Sequence, residues 1–344
     1  MVIAEDVYTF NNQLIFPKGL VLTDKAITRM EIFSLVYVRV EDEVLDVDEI
    51  TPEPSYAERL TATPEFQKFR DTFEEDTASF QDSISDLIEK GTPLDTESLL
   101  DHASNLISAS GSYINIFDML HSMRHYDDAT FAHGINVALM CNVMAQWLKM
   151  NEEEARTAML GGLLHDIGKT MIPEELIKKP DKLTSQEYNT VKKHCQEGFK
   201  LLSNCDLDKS VKNAALMHHE RNDGSGYPYG LTADRIDSFA KMVAIADVYD
   251  AMTAARVYRG PLCPFVAISL FEEEGLQKYD TRYIITFLEH VVNTYLLHRV
   301  RLNNGVEGEV VYINQAHLSS PTVKCGSHFI DLSKHPELHI ETLI

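Results

Sequence analysis

Five histidines, His133, His165, His194 and the adjacent His218 and His219, fall within about 90 residues of a 344-residue chain, with Asp166 and Asp247 beside them. Each lies on or next to a stretch with helical apolar spacing. A single histidine on such a face is commonly a hydrogen-bonded core residue. Burying five imidazoles and two carboxylates without a compensating centre would be costly, so a metal site is the economical explanation. Imidazole and carboxylate donors suit Fe, Mn, Zn or Ni, and argue against a structural Cys-rich zinc site or an iron–sulfur cluster. Seven groups exceed what one ion takes while leaving room for water and substrate, so two ions are implied. Asp166 is the natural bridge, because a carboxylate can span ions about 3.5–4 Å apart. His218 and His219 would project roughly 100° apart on an ideal helix. Both serve one cluster only by approaching it from different sides or from a frayed helix end.

The elements that must carry these residues are helices. Asn151 followed by Glu154 caps a helix over 152–164, and Thr184 with Glu187 is a capping box opening one over 185–202. Residues 131–148 and 235–255 have the same period. The segment 112–300 is therefore expected to be a helical domain. Before it, residues 1–50 read as a small α+β module, with strands at 2–4, 13–16 and 36–40 and a short helix at 23–33. Residues 51–111 read as an acidic helical linker, solvated or forming a dimerising hairpin, with Phe80, Ile84, Leu87 and Ile88 near helical spacing. Residues 301–344 read as a β-rich appendage, with strands at 308–313, 322–324 and 329–332. The expected fold class is mainly α.

The net charge is −22, and 8 Lys+Arg against 23 Asp+Glu over residues 1–110 leave only about −7 for the remainder. Such a surface repels nucleic acid polymers and anionic lipid at long range. A small phosphate ligand is compatible with it if a metal or a local basic cluster inverts the sign inside a pocket. The cysteines Cys141, Cys195, Cys205, Cys263 and Cys325 are odd in number, scattered and never spaced C-x-x-C, and read as free thiols in a reducing cytoplasm. No signal peptide opens the sequence, and no apolar stretch approaches the 18 or so residues of a membrane span. A cytoplasmic protein is expected.

Leu164-His165-Asp166-Ile167-Gly168-Lys169 resembles the hallmark of HD-domain phosphohydrolases. His218-His219-Glu220 followed by Asp223-Gly224-Ser225-Gly226-Tyr227-Pro228 is similar to the signature of the HD-GYP subgroup. The run Ile245 to Thr253, with Arg256, Tyr258 and Arg259, matches that subgroup's following helix. The resemblance covers residues 112–290 or so. It implies an HD-type helical bundle around a bi- or trinuclear iron or manganese centre that hydrolyses cyclic di-GMP. Carried over by position, His133, His165, Asp166 and Asp247 hold one ion, and Asp166, His194, His218 and His219 the other. A Glu four residues before the first His adds a third metal in some members. Ala129 stands there and Asp128 precedes it, so two divalent ions are expected.

The other motif residues have physical roles consistent with this. Lys169, four residues after His165, can neutralise a phosphate oxygen or protonate the leaving group if the helix continues. Arg256 and Arg259, three apart, form a guanidinium fork for the second phosphate. The Gly-Ser-Gly-Tyr-Pro loop presents Tyr227 beside the site, its glycines needed for positive φ or close ligand approach. The expected activity is a metal-dependent phosphodiesterase opening cyclic di-GMP to pGpG, with a second cut to GMP open. The competing readings are an HD phosphohydrolase of another nucleotide and a weakly catalytic cyclic dinucleotide sensor, with a homodimer or a signalling partner engaged through the N-terminal region.

Overall fold

The computed structural model describes residues 56–110, 115–123, 130–179, 181–254 and 262–344, and before these only 2–3, 7–8, 14–16, 18 and 40–41. The chain divides into two compact units, Met1–Glu53 and Pro54–Ile344. In the first unit, β1 (Val2–Ile3) pairs antiparallel with β4 (Val40–Glu41), and β2 (Val7–Tyr8) with β3 (Leu14–Phe16). The helix expected at 23–33 lies outside the described residues.

The second unit is built on helices. Of its central pair, Thr130–Trp147 is apolar around most of its circumference, and Glu152–Leu164 is so from Ala158 onward, as helices enclosed by others must be. The second of these starts at the expected capping box, with Asn151 accepting from the Glu154 N–H and Glu154 accepting from the Asn151 N–H. Lys209–Met217 and Ser238–Thr253 complete the layer that carries the candidate residues. The helix expected over 185–202 is two helices, Ser185–Val191 and His194–Ser203. They part where the Val191 carbonyl accepts from the His194 ring and not from a helical N–H.

The expected linker is not solvated. Pro64–Lys90 and Thr96–Ala109 form a helical hairpin whose stripe of Phe66, Phe69, Phe73, Phe80 and Ile84 joins the same core as the bundle. Phe80 meets Phe131 edge-on, with ring centroids 5.4 Å apart. The C-terminal strands likewise share that core. They form an antiparallel sheet in the order β8 (His328–Asp331), β7 (Thr322–Cys325), β6 (Glu307–Tyr312), β5 (Arg299–Leu302), β9 (Ile340–Leu343). Val300, Leu302, Val310 and Ile340 are buried within it. Neither 111 nor 300 is thus a boundary between compact units, because apolar faces on both sides of each are buried together. Among the described residues, no helix is long and apolar enough to cross a membrane.

Candidate metal centre

Most of the seven predicted residues sit at helix ends. His165 closes the Glu152–Leu164 helix, and Asp166 leads into a 3-10 turn, Ile167–Met171. His194 opens its helix, and His218 and His219 follow Lys209–Met217. The end of that helix resolves how adjacent histidines reach one cluster, since the residue after the last turn is free of the 100° step. His133 and Asp247 are held within helices. Gly168 lets the turn bearing Asp166 lie against the His194 helix. A Cβ there would stand 1.9 Å from the His194 carbonyl oxygen and 2.4 Å from the Gly198 nitrogen.

Asp166 is at the centre of what results. Its Oδ2 is 3.5 Å from His133 Nε2 and 3.4 Å from His165 Nε2, while Asp247 Oδ1 is 3.1 Å from His133 Nε2 and 3.8 Å from His165 Nε2. Its Oδ1 faces the other way, 3.3 Å from His194 Nε2 and 3.7 Å from His218 Nε2. His219 Nδ1 is 3.8 Å from Asp247 Oδ2. One carboxylate therefore presents a separate oxygen to each of two groups of ring nitrogens.

The tautomers follow from the outward ring atoms. The Nδ1–H groups of His165, His194 and His218 donate to the carbonyls of Gly162, Val191 and Ala214 at 2.7, 2.8 and 3.0 Å. Each Nε2 lone pair is left facing inward. His194 Nε2 and His218 Nε2 stand 3.3 Å apart, two lone pairs with no proton to share between them. His165 Nε2 and Asp166 Oδ1 are buried and make no hydrogen bond among the described residues. Buried acceptors facing one another in this way fit cations, which would supply the missing positive charge.

The charge states agree. Burial pushes His194 down to about 4 and also lowers His218 and His219, keeping these rings neutral, as ligation requires. Burial opposes charge on Asp166 and Asp247 too. Lys169 and His165 outweigh it at Asp166, and the His133 hydrogen bond outweighs it at Asp247, holding both well below the usual carboxylate range. His133 differs: against the effect of burial, Asp247 and Asp250 raise it to about 9, so an ion bound at its Nε2 displaces a proton.

Lys169 is on the 3-10 turn rather than on a continuing helix, and its ammonium donates to Asp166 Oδ2. Tyr227 lies over His219 with the rings tilted by 31° and centroids 4.6 Å apart, and meets Tyr188 edge-on at 6.4 Å. The loop carrying it is closed by its own backbone: a Cβ on Gly226 would fall 2.5 Å from atoms of His219, Glu220 and Arg221. That glycine serves the chain's approach to itself. Arg256, Tyr258, Arg259, Asp128 and Ala129 lie outside the described residues.

Three residues had no role in the reading of the sequence. Asp250 accepts from His133 Nδ1 at 2.7 Å and from Asn136 at 3.2 Å, and its place three residues after Asp247 on one helix was the available signal. Glu220 is buried and accepts from the Tyr229 and Leu231 N–H groups, both at 2.8 Å, pinning the loop. Cys195 lies at the centre and not among scattered thiols, its Sγ 3.4 Å from His194 Nε2, and burial pushes its pKa up.

Residues 116–283 match the HD domain family. This segment is an HD domain of the HD-GYP type. The HD-GYP segment has relatives in several bacteria. The chain is 34% identical over 228 residues to the cyclic di-GMP phosphodiesterase PA4108 of Pseudomonas aeruginosa, covering 65% of this chain and 55% of that one. It is 36% identical over 177 residues to a cyclic di-GMP phosphodiesterase of Thermotoga maritima, covering 51% and 48%. It is 43% identical over 133 residues to the 3′3′-cGAMP-specific phosphodiesterase 1 of Vibrio cholerae, covering 39% and 31%. The chain spans between about a third and just over half of the length of these relatives.

Proposed function

We propose that this chain is a metal-dependent phosphodiesterase that hydrolyses a 3′-5′ phosphodiester of cyclic di-GMP, giving pGpG and, by a second cut, GMP, in the cytoplasm. The observation that carries the reading is the Asp166 carboxylate, whose two oxygens face separate groups of imidazoles. His133, His165, Asp166 and Asp247 would hold one ion, and Asp166, His194, His218 and His219 the other, with Fe or Mn as the metal. When bound, such a pair polarises a phosphate oxygen and acidifies a water. The chain's own groups do the rest. Lys169 offers an ammonium next to the Asp166 carboxylate, where a phosphate oxygen would need neutralising. Tyr227, lying over His219, walls one side of the centre and directs the ligand to the face where Lys169, His133 and His219 retain partial exposure. Arg256 and Arg259 are proposed to bind the second phosphate. No nucleophilic side chain is required.

The test is elemental analysis of protein reconstituted with Fe or Mn without oxygen, followed by chromatography of products from cyclic di-GMP and from 3′3′-cGAMP. Two ions per chain, release of pGpG and loss of both ions in Asp166→Ala are expected. Two ions with nucleotide binding and no turnover would make the chain a sensor. Faster turnover of 3′3′-cGAMP would reassign the substrate.

A further inference from the structure

Cys195 is fully buried, and its Sγ is one of four ligating atoms, with those of His194, His218 and His219, that all lie within 4.8 Å of one another. Two observations that do not involve the cysteine point to an ion in the same space. Asp166 Oδ1, buried and without a hydrogen bond among the described residues, is 3.3 Å from His194 Nε2. The inward lone pairs of His194 and His218 stand 3.3 Å apart. Two nitrogens at about 2.0–2.1 Å from one ion are separated by about 2.9–3.4 Å, and a nitrogen and a sulfur at about 2.3 Å by about 3.1–3.6 Å, as the angle at the ion opens from about 90° to the tetrahedral value. The His194–His218 separation of 3.3 Å lies within the first range and the His194–Cys195 separation of 3.4 Å within the second.

We propose that the Cys195 thiolate is a ligand of the ion held by Asp166, His194, His218 and His219. The inference rests on the two-ion reading above and extends it to a residue outside that ligand set. As the metal–sulfur bond forms, the S–H bond breaks and its proton leaves to solvent. The two positions of the centre then differ in kind. The ion beside His133 and His165 has only nitrogen and oxygen donors, whereas its neighbour has a soft sulfur donor. Thiolate ligation favours iron or zinc over manganese at that position.

The experiment loads the full chain with cobalt(II) and reads near-ultraviolet absorption and cobalt-edge X-ray scattering. Expected are two cobalt ions per chain, a thiolate-to-cobalt charge-transfer band, and one sulfur scatterer at about 2.3 Å for every two ions. In Cys195→Ser the band disappears, and affinity for one ion falls at least about tenfold, the lower end of what even an outer partner of a ligand contributes. Two bound cobalt ions with only nitrogen and oxygen scatterers would overturn the proposal and leave the two-ion reading intact. A band that persists in Cys195→Ser would assign the sulfur elsewhere and overturn it too. Failure of the wild-type chain to retain cobalt would sink both readings. The wild-type spectra decide the matter even if the variant does not fold.

Discussion

Lys169 contacts the carboxylate that separates the two groups of imidazoles, so it competes with a cation for Asp166 Oδ2 while standing ready for a phosphate. Replacing it separates the two effects. Lys169→Met should retain both ions, with affinity equal to or above wild type, because a competitor is gone. Its kcat/KM for cyclic di-GMP should fall about 10- to 150-fold, the equivalent of a charge-assisted hydrogen bond of about 1.5–3 kcal/mol. Metal titration and steady-state kinetics on the same preparation check this, and loss of metal would show that the ammonium organises the ligands. Asp250 provides a second case. Asp250→Asn keeps an acceptor for His133 Nδ1 and removes the charge, so affinity for the ion beside His133 should fall about 10- to 100-fold while the other ion stays. Equal loss of both ions in a metal titration would assign Asp250 to the fold alone. All seven proposed ligands were legible as a set because histidines and aspartates are scarce in apolar helices. Cys195 was not, since a thiol in a buried helix reads as a small apolar residue. Its neighbour His194 was the signal, and adjacent helical residues are ordinarily expected to diverge.

Caps made the helix starts readable, and the reading failed where a side chain replaced a backbone donor. The helix from Glu152 to Leu164 begins and ends as its cap and period predict. The break between Ser185–Val191 and His194–Ser203 depends on one imidazole taking the Val191 carbonyl, which apolar spacing does not encode. Ahead of that break, Glu187 accepts from Thr184 and is paired with Lys179 at 2.7 Å. The Lys179 hydrogen bond and the Thr184 N–H hold it down to about 2, from an ordinary 4.5. A carboxylate depressed on folding stabilises above its unfolded pKa and loses that contribution as pH falls through the folded one. The difference in thermal midpoint between wild type and Glu187→Gln should therefore be constant above pH 4.5 and shrink towards pH 2. A difference unchanged across that window, in unfolding scans at stepped pH, would remove the charge from the account. Strands β5 and β9 escaped the sequence reading because they pair across 38 to 43 residues, a contact local turn signals do not announce.

At the scale of the molecule, the helical bundle was legible and its edges were not. Phe69, Phe80, Ile84 and Leu106 are buried in the same core as the helices that carry the ligands. Burial of such side chains is worth about 1.5–3 kcal/mol each. A fragment over 112–300 should consequently be less stable than one over 54–344 by several kcal/mol, and the longer fragment should fold and bind two ions without residues 1–53. Urea unfolding of both fragments measures this, and equal midpoints would mean that the hairpin and the sheet add nothing. The acidic composition of the hairpin hid this, because its charges line the outer face while a sparse aromatic stripe does the packing. The order of the ligands along the chain also bears on assembly. Asp166, His194, His218 and His219 fall within residues 166–219, whereas the neighbouring set spans His133 to Asp247. In a polypeptide emerging from the ribosome, the set around His194 comes out complete before Asp247 follows it. The nascent chain can therefore capture its first ion there, and that ion would anchor Asp166 before the remaining ligands arrive.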